Sequence, residues 1–232
     1  MYAMTNGPIA AALAVKRLEM AKSRLATGRD GPGTAHRALV LAMLADTVAA
    51  VRAAGIDRVV VVSPDDEVLG NARSYGAEGI REDLARSEET GDPLNHAFAL
   101  GAGSARQRWP DTATMVFVQA DLPAATPNAL REALVEAHGH RQAMITDLDG
   151  SGTTILIRDA RLAGHPSFGP DSAAAHRDSG VVELDPEHLR WPELRTDVDT
   201  AADLEAARRL GLGARTAAQL RTKRVDPSVN AS

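Results

Sequence analysis

Apolar residues fall along this chain in short runs of two kinds, and their alternation predicts a fold class. Residues 58–62 (RVVVV) are continuous and β-branched, the pattern of a strand buried on both faces. Residues 9–15 (IAAALAV) and 115–119 (MVFVQ) read the same way, and 143–146, 154–157 and 181–184 are shorter candidates. Between them the period becomes helical. Residues 34–54 carry Leu39, Leu41, Leu44, Val48 and Val51 near the helical repeat. Punctuation marks further helices. Ser63, Pro64, Asp65 and Asp66 read as N-cap, first-turn proline and acidic first turn of a helix reaching Tyr75. Asp92 and Pro93 open 94–108, and Thr126 and Pro127 open 128–138. Thr200 to Asp203 form a capping box that opens a helix to Leu210. Residues 82–91 are charged and read as a surface loop.

Strand–helix alternation of this kind predicts an α/β fold: a mostly parallel sheet covered on both faces. The length, 232 residues, suits one domain. The reading places that domain over 9–220, after a flexible start (1–8) and before a disordered tail (221–232). In such a sheet ligands bind beyond the carboxyl ends of the strands, near a switch in strand order. The residues just after each strand therefore carry the information.

Composition narrows the chemistry. The chain has no cysteine, which excludes a disulfide scaffold, a cysteine metal site and a thiol nucleophile. A net charge of -5 argues against a nucleic-acid binder. The apolar runs are short and interrupted and no signal-peptide pattern opens the chain, so a cytoplasmic protein without a membrane span is expected. The 43 alanines reflect a compositional bias. Only three of the 26 basic residues are lysine: Lys16, Lys22 and Lys223. Two of these stand together just after the first strand, where arginine would serve a solvated face equally well.

Lys16, Arg17, Lys22 and Arg24 lie within nine residues of one another. Ammonium groups and guanidinium forks at the end of a buried strand suit a phosphate-rich ligand, though a solvated amphipathic helix would look the same. Asp121 follows the strand 115–119 and is followed by a turn proline, a position that suits a divalent cation or a plain turn. Asp197 and Asp199 flank Val198. In an extended segment they face one side, and like charges so placed repel unless a cation or basic group lies between them. Asp203 reads as the capping-box acid. Residues 150–154 (GSGTT) and 168–172 (FGPDS) offer backbone N–H groups and hydroxyls suited to a small anion. The seven histidines show no zinc spacing, and no catalytic Ser–His–Asp pattern is visible.

The blocks AVKRL, AKSRLA, VVSPD, DPLNHA, QADLPA, GSGTTIL, HPSFGPDSAAAHRDSGVVEL and DVDTAADLEAARRLG occur in an order seen in a known family. From about Ile9 to Leu220 the chain resembles the 2-phospho-L-lactate guanylyltransferases and their phosphoenolpyruvate-using relatives, which make the activated three-carbon moiety of coenzyme F420. The resemblance implies a single-domain, three-layer α/β/α nucleotidyltransferase, related to nucleotide-diphospho-sugar transferases and A-type glycosyltransferases. It implies GTP and phosphoenolpyruvate or 2-phospho-L-lactate as substrates. It implies Mg²⁺ on Asp121, Asp197 and Asp199, and acid contacts at Thr153, Gly169 and Ser172. Lys16, Lys22 and Arg24 fall where the GTP phosphates are expected, and Asp92 and Asn95 near the nucleoside. One departure is Ala120, where the family usually has glycine. Two other readings stand beside this one: transfer to another acceptor, such as 3-phosphoglycerate, molybdopterin or a sugar phosphate, and a non-catalytic GTP-binding module. No motif separates the three-carbon acids, and a homodimer is compatible with the chain.

Overall fold

The computed structural model describes residues 7–16, 18, 33–89 and 91–222. In chain order these form β1 (Ile9–Ala14), α1 (Thr34–Ala53), β2 (Arg58–Ser63), α2 (Asp66–Ser74), β3 (Glu78–Arg81), α3 (Leu84–Glu89) and α4 (Pro93–Arg108). There follow β4 (Thr114–Gln119), α5 (Pro127–Glu136), β5 (Gln142–Thr146), β6 (Thr153–Asp159), α6 (Ser172–Asp178) and β7 (Val182–Glu183). The described chain closes with α7 (Pro192–Arg195), α8 (Ala201–Leu210) and α9 (Ala214–Thr222). Lys22, Arg24 and the tail from 223 onward lie outside the described residues.

The strands form one sheet in the order β3-β2-β1-β4-β6-β5-β7. Every strand runs parallel to its neighbours except β6, which is antiparallel to β4 and β5. The reversal follows from chain length: residues 147–152 alone join β5 to β6, too few for a crossover.

The continuous apolar runs are used on both faces, as their pattern predicted. Val59 and Val61 join Leu13, Val116 and Val118 against Met43 of α1, Leu134 of α5 and Leu194 of α7. Val60 and Val62 join Ala12, Met115 and Phe117 against Phe98 and Ala102 of α4 and Ala173 of α6. The result is three layers, helix–sheet–helix. Helix α1 is long and apolar enough to cross a membrane by length and composition, yet most of that stretch is buried in this core. Its apolar residues are spent on packing.

The structure corrects several local readings. The cap of α2 is Asp65, which accepts from Glu67 N–H at 3.0 Å, and not Ser63. Pairing with Arg81 keeps Ser63 in β2, so the helix starts two residues later than its sequence suggests. The segment read as a charged loop contains α3. β3 escaped notice because it is a short edge strand, only partly buried, with half of its positions charged. α9 was also unforeseen and takes in Arg221 of the expected tail. It docks because Asp46, buried in α1, accepts from the N–H groups of Arg215 (3.2 Å) and Thr216 (2.8 Å). At the other end, Pro8 accepts backbone hydrogen bonds from Ala113 and Thr114, so backbone pairing beside β1 already takes in a residue of the expected flexible start.

Candidate active site

The strand order reverses between β1 and β4, which makes the crevice beyond their carboxyl ends the place for a ligand. Ala14 pairs with Gln119, so Lys16 and Asp121, each two residues further on, leave the sheet at the same level. Lys16 is exposed. Leu18 turns back into the core, and its N–H donates to Asp65 Oδ2 at 3.4 Å. Lys22 and Arg24 belong to the segment outside the described residues.

Asp121 is held from two sides. Thr47 of α1 is fully buried, and its hydroxyl lies 3.3 Å from the Ala120 carbonyl and accepts from Leu122 N–H at 3.1 Å. This one side chain therefore clamps the residues before and after Asp121. Across the crevice, Val198 N–H donates to the Asp121 carbonyl at 3.1 Å. Val198 is wholly buried, Asp197 half-buried and Asp199 exposed, the alternation expected of an extended segment. Asp203 completes the capping box, accepting from Thr200 N–H at 2.7 Å and from Asp199 N–H at 3.1 Å. The backbone thus joins the Asp121 turn to the Asp197–Asp199 segment. Among the described residues, however, no three His, Cys, Asp or Glu side chains form a group able to hold a metal ion. The three aspartates therefore do not form a closed cage.

The same end of the sheet carries a hydroxyl cluster. Val118 pairs with Ile155, so Thr153, at the start of antiparallel β6, lies level with the end of β4. Ser172 Oγ donates to Thr153 Oγ1 at 3.2 Å, and Thr153 Oγ1 lies 2.9 Å from His176 Nδ1; all three residues are buried. His176 Nε2 accepts from Ser167 N–H at 3.1 Å. A backbone N–H can only donate, so the neutral ring carries its proton on Nδ1, directed at Thr153. Gly169 accepts from Ser172 N–H at 3.2 Å and has φ 131°, a conformation that side chains disfavour. The structure therefore brings Thr153, Gly169 and Ser172 together.

His176 was missed. The signal was available: Ser172 and His176 stand four apart on one helix face. Burial, and then the nearby Arg158 charge, push the His176 pKa down to about 4 from 6.5. The folded state holds the ring neutral while the unfolded chain protonates it below about 6.5, so this stabilisation is full above that pH and is lost as pH falls towards 4. The loss amounts to about 3 kcal/mol across the window. Urea unfolding at pH 7 and pH 4.5 should show a distinctly shallower pH dependence in His176→Asn. An unchanged dependence would mean that the imidazole stays protonated in the fold.

One expectation changes. Residues 150–154 were read as offering backbone donors to an anion. Instead the Asp147 carboxylate takes the N–H groups of Ser151 (2.9 Å) and Gly152 (2.8 Å). A Cβ on Gly152 would stand 2.4 Å from Asp147 Oδ2, so the glycine serves this internal contact. Asn95, expected near the nucleoside, makes internal contacts. Its Nδ2 donates to Asp92 Oδ2 (2.7 Å) and to the Phe168 carbonyl (2.8 Å), while Oδ1 accepts from Phe168 N–H (2.8 Å). One amide hydrogen thus goes to Asp92, the N-cap of α4, and the other, with Oδ1, holds Phe168 against that helix.

Behind the site lies a buried arginine. Arg195 is 1% exposed and donates to the Thr146 carbonyl (3.1 Å) and hydroxyl (2.8 Å), and to the Leu184 (3.1 Å) and Asp185 (2.8 Å) carbonyls. It also pairs with the Asp185 carboxylate at 3.1 Å. Burial works against ionising Asp185, but the Arg190 backbone N–H and Arg195 outweigh it and hold its pKa below the usual range. This knot fixes the chain two residues before Asp197.

A switch-point crevice with a lysine, aspartates and a separate hydroxyl cluster is an arrangement suited to nucleotide transfer. The MobA-like NTP transferase domain family matches residues 37–186. A structure from Desulfovibrio desulfuricans described as a nucleotide-diphospho-sugar transferase shares the fold, with TM-score 0.60, 16% identity and coverage of 93% of this chain and 95% of that one. A cytidylyltransferase from Leptospira borgpetersenii does so with TM-score 0.55, 14% identity and coverage of 98% and 99%. The phosphoenolpyruvate guanylyltransferase of Nocardia farcinica is 47% identical over 91% of this chain and 90% of its own length. That of Rhodococcus erythropolis is 41% identical over 94% and 98%. The chain belongs to the phosphoenolpyruvate guanylyltransferase family.

Proposed function

We propose that this protein joins GTP to phosphoenolpyruvate, giving enolpyruvoyl-2-diphospho-5'-guanosine and pyrophosphate, the activation step for the three-carbon unit of coenzyme F420. 2-Phospho-L-lactate is the neighbouring acid that the same reading admits. A phosphate oxygen of the acid attacks the α-phosphorus of GTP in line. The new P–O bond forms as the bond from that phosphorus to the leaving pyrophosphate breaks. The nucleophile is already ionised, so positioning and charge neutralisation carry the rate rather than a strong base.

The chain's residues divide that work. Thr153 Oγ1 accepts from Ser172 and His176, and among the described residues its own proton is directed at the Met144 sulfur, 3.8 Å away. That hydroxyl is therefore the donor best placed to turn to the acid. Gly169 lets the acid approach the backbone without a side chain in the way. Lys16, with Lys22 and Arg24 after it, offsets the charge of the leaving pyrophosphate. Asp121, Asp197 and Asp199 would hold Mg²⁺. Their hard oxygens match the ion, which keeps several waters and takes one or two carboxylates plus substrate phosphates, so a closed cage is not needed. When bound, the ion neutralises charge between two anions that would otherwise repel.

The observation that supports this reading is the Val198–Asp121 hydrogen bond, 3.1 Å, at the sheet end that also carries Thr153. Pyrophosphate release should be measured with ATP, GTP, CTP and UTP against phosphoenolpyruvate, 2-phospholactate and 3-phosphoglycerate. The fastest release is expected from GTP with phosphoenolpyruvate. No release from any pair would end the proposal, and a faster rate with another nucleotide would remove the guanine assignment.

A further inference from the structure

The far end of the sheet holds a feature that the reaction does not use. A cavity of about 490 Å³ lies between α4, the start of β4, the end of β6 and the loop 160–166. The register places it there: Met115 pairs with Arg158, at the opposite end of β4 from Asp121. Arg158 lines this cavity and is only 8% exposed. Its guanidinium donates to the carbonyls of Ala163 (2.8 Å) and Gly164 (3.4 Å). Carbonyls orient a guanidinium but do not neutralise it.

Arg106, also lining the cavity, reaches only the Ala160 carbonyl, at 3.5 Å. Among the described residues no carboxylate pairs with either arginine. The acid beside them, Asp159, is taken by Arg161 through contacts of 2.7 and 3.0 Å. Arg195, also deeply buried, shows the contrast, since it has the Asp185 carboxylate. Two neighbouring cations without a counter-charge, one of them desolvated, are costly unless an anion completes the arrangement. Burial, and then the Arg106 charge, lower the Arg158 pKa from its usual value, which agrees with that strain.

We infer that Arg158 and Arg106 form a second anion site, separate from the nucleotide crevice, that takes the dianionic phosphate of a small phosphate monoester. Two guanidinium forks match phosphate oxygens in charge and shape. Met115, Phe117 and Leu162 supply an apolar wall, and the volume exceeds that of a bare phosphate ion, leaving room for a small carbon body. The loop 160–166 leads directly into Ser167 and Phe168, which His176 and Asn95 hold. An occupant would therefore rest against the root of the FGPDS segment.

The test is direct binding without turnover, so its outcome is independent of the proposed reaction. Inorganic phosphate and glycerol phosphate are titrated by calorimetry into the full chain without nucleotide or divalent metal. Saturable, salt-sensitive binding is expected, tighter for the monoester, and it should persist in Lys16→Ala. Arg106→Gln changes an exposed side chain and should weaken binding by about tenfold or more. Arg158→Met should abolish binding, with circular dichroism checking its fold; if it misfolds, Arg106→Gln decides. Unchanged affinity in Arg106→Gln, no saturable binding at all, or loss of binding in Lys16→Ala would each overturn the inference.

Discussion

Asp197→Asn is expected to lower turnover by about 10²- to 10⁴-fold while the protein folds normally. The substitution keeps the shape and removes the charge. Asp197 is half-buried on the face opposite Val198, which anchors the segment through the core and through its own N–H to Asp121. That anchor uses no part of the Asp197 side chain, so the backbone should stay in place. The loss would therefore report the carboxylate's part in bringing GTP and the acid together. Pyrophosphate release at saturating substrates and urea unfolding should be measured on the same preparation. Turnover near that of the wild type would show that the reaction does not depend on this charge. A large loss of stability would show that the residue is structural.

Arg195→Met should destabilise the protein by about 3–5 kcal/mol. Methionine fills much of the volume but strands the partners. The Asp185 carboxylate, 6% exposed, would lose its counter-charge, and the carbonyls of Thr146, Leu184 and Asp185 would lose the guanidinium bonds they accept. An uncompensated buried charge and unsatisfied carbonyls are among the few changes that cost this much. Arg195→Lys should recover little, because one ammonium group cannot span acceptors from β5 and from the segment after β7. Thermal and urea unfolding of both variants check this. A loss below about 1 kcal/mol would mean that water replaces the guanidinium at no great cost. The effect should reach activity too, since the knot holds the chain leading to Asp197.

How far the sequence could be read depended on the range of the interaction. β2 and β4 were legible because a continuous β-branched or apolar run has one stable use, burial on both faces. The placement of Asp121 and Asp197 was legible because a strand end and a two-residue period place side chains by local geometry. The α2 cap was misjudged by two residues because a pairing with β3 held Ser63 in the strand. The donors of 150–154 were misjudged because Asp147, a few residues earlier, had taken them. The four-residue spacing of Ser172 and His176 hinted at a shared face, but the contact that gives His176 its task is to Thr153, 23 residues away.

The scarcity of lysine and the absence of cysteine pointed to an oxygen-ligand, phosphate-binding site, but Lys16 acquired a place only through the pairing of β1 with β4. The pattern of this chain by itself determined its layers, most of its strands and the carboxylates at their ends, because hydrophobic periodicity acts through nearest neighbours. The tertiary structure alone decided which polar groups are already spent and which remain to act. Asn95, Asp147 and Arg195 are committed to internal partners, while the Thr153 hydroxyl keeps a proton to give and Arg158 lacks a carboxylate. The assignments of Asn95 and Arg195 depend on closing loops of tens of residues around one core, and local residue order does not record such closures.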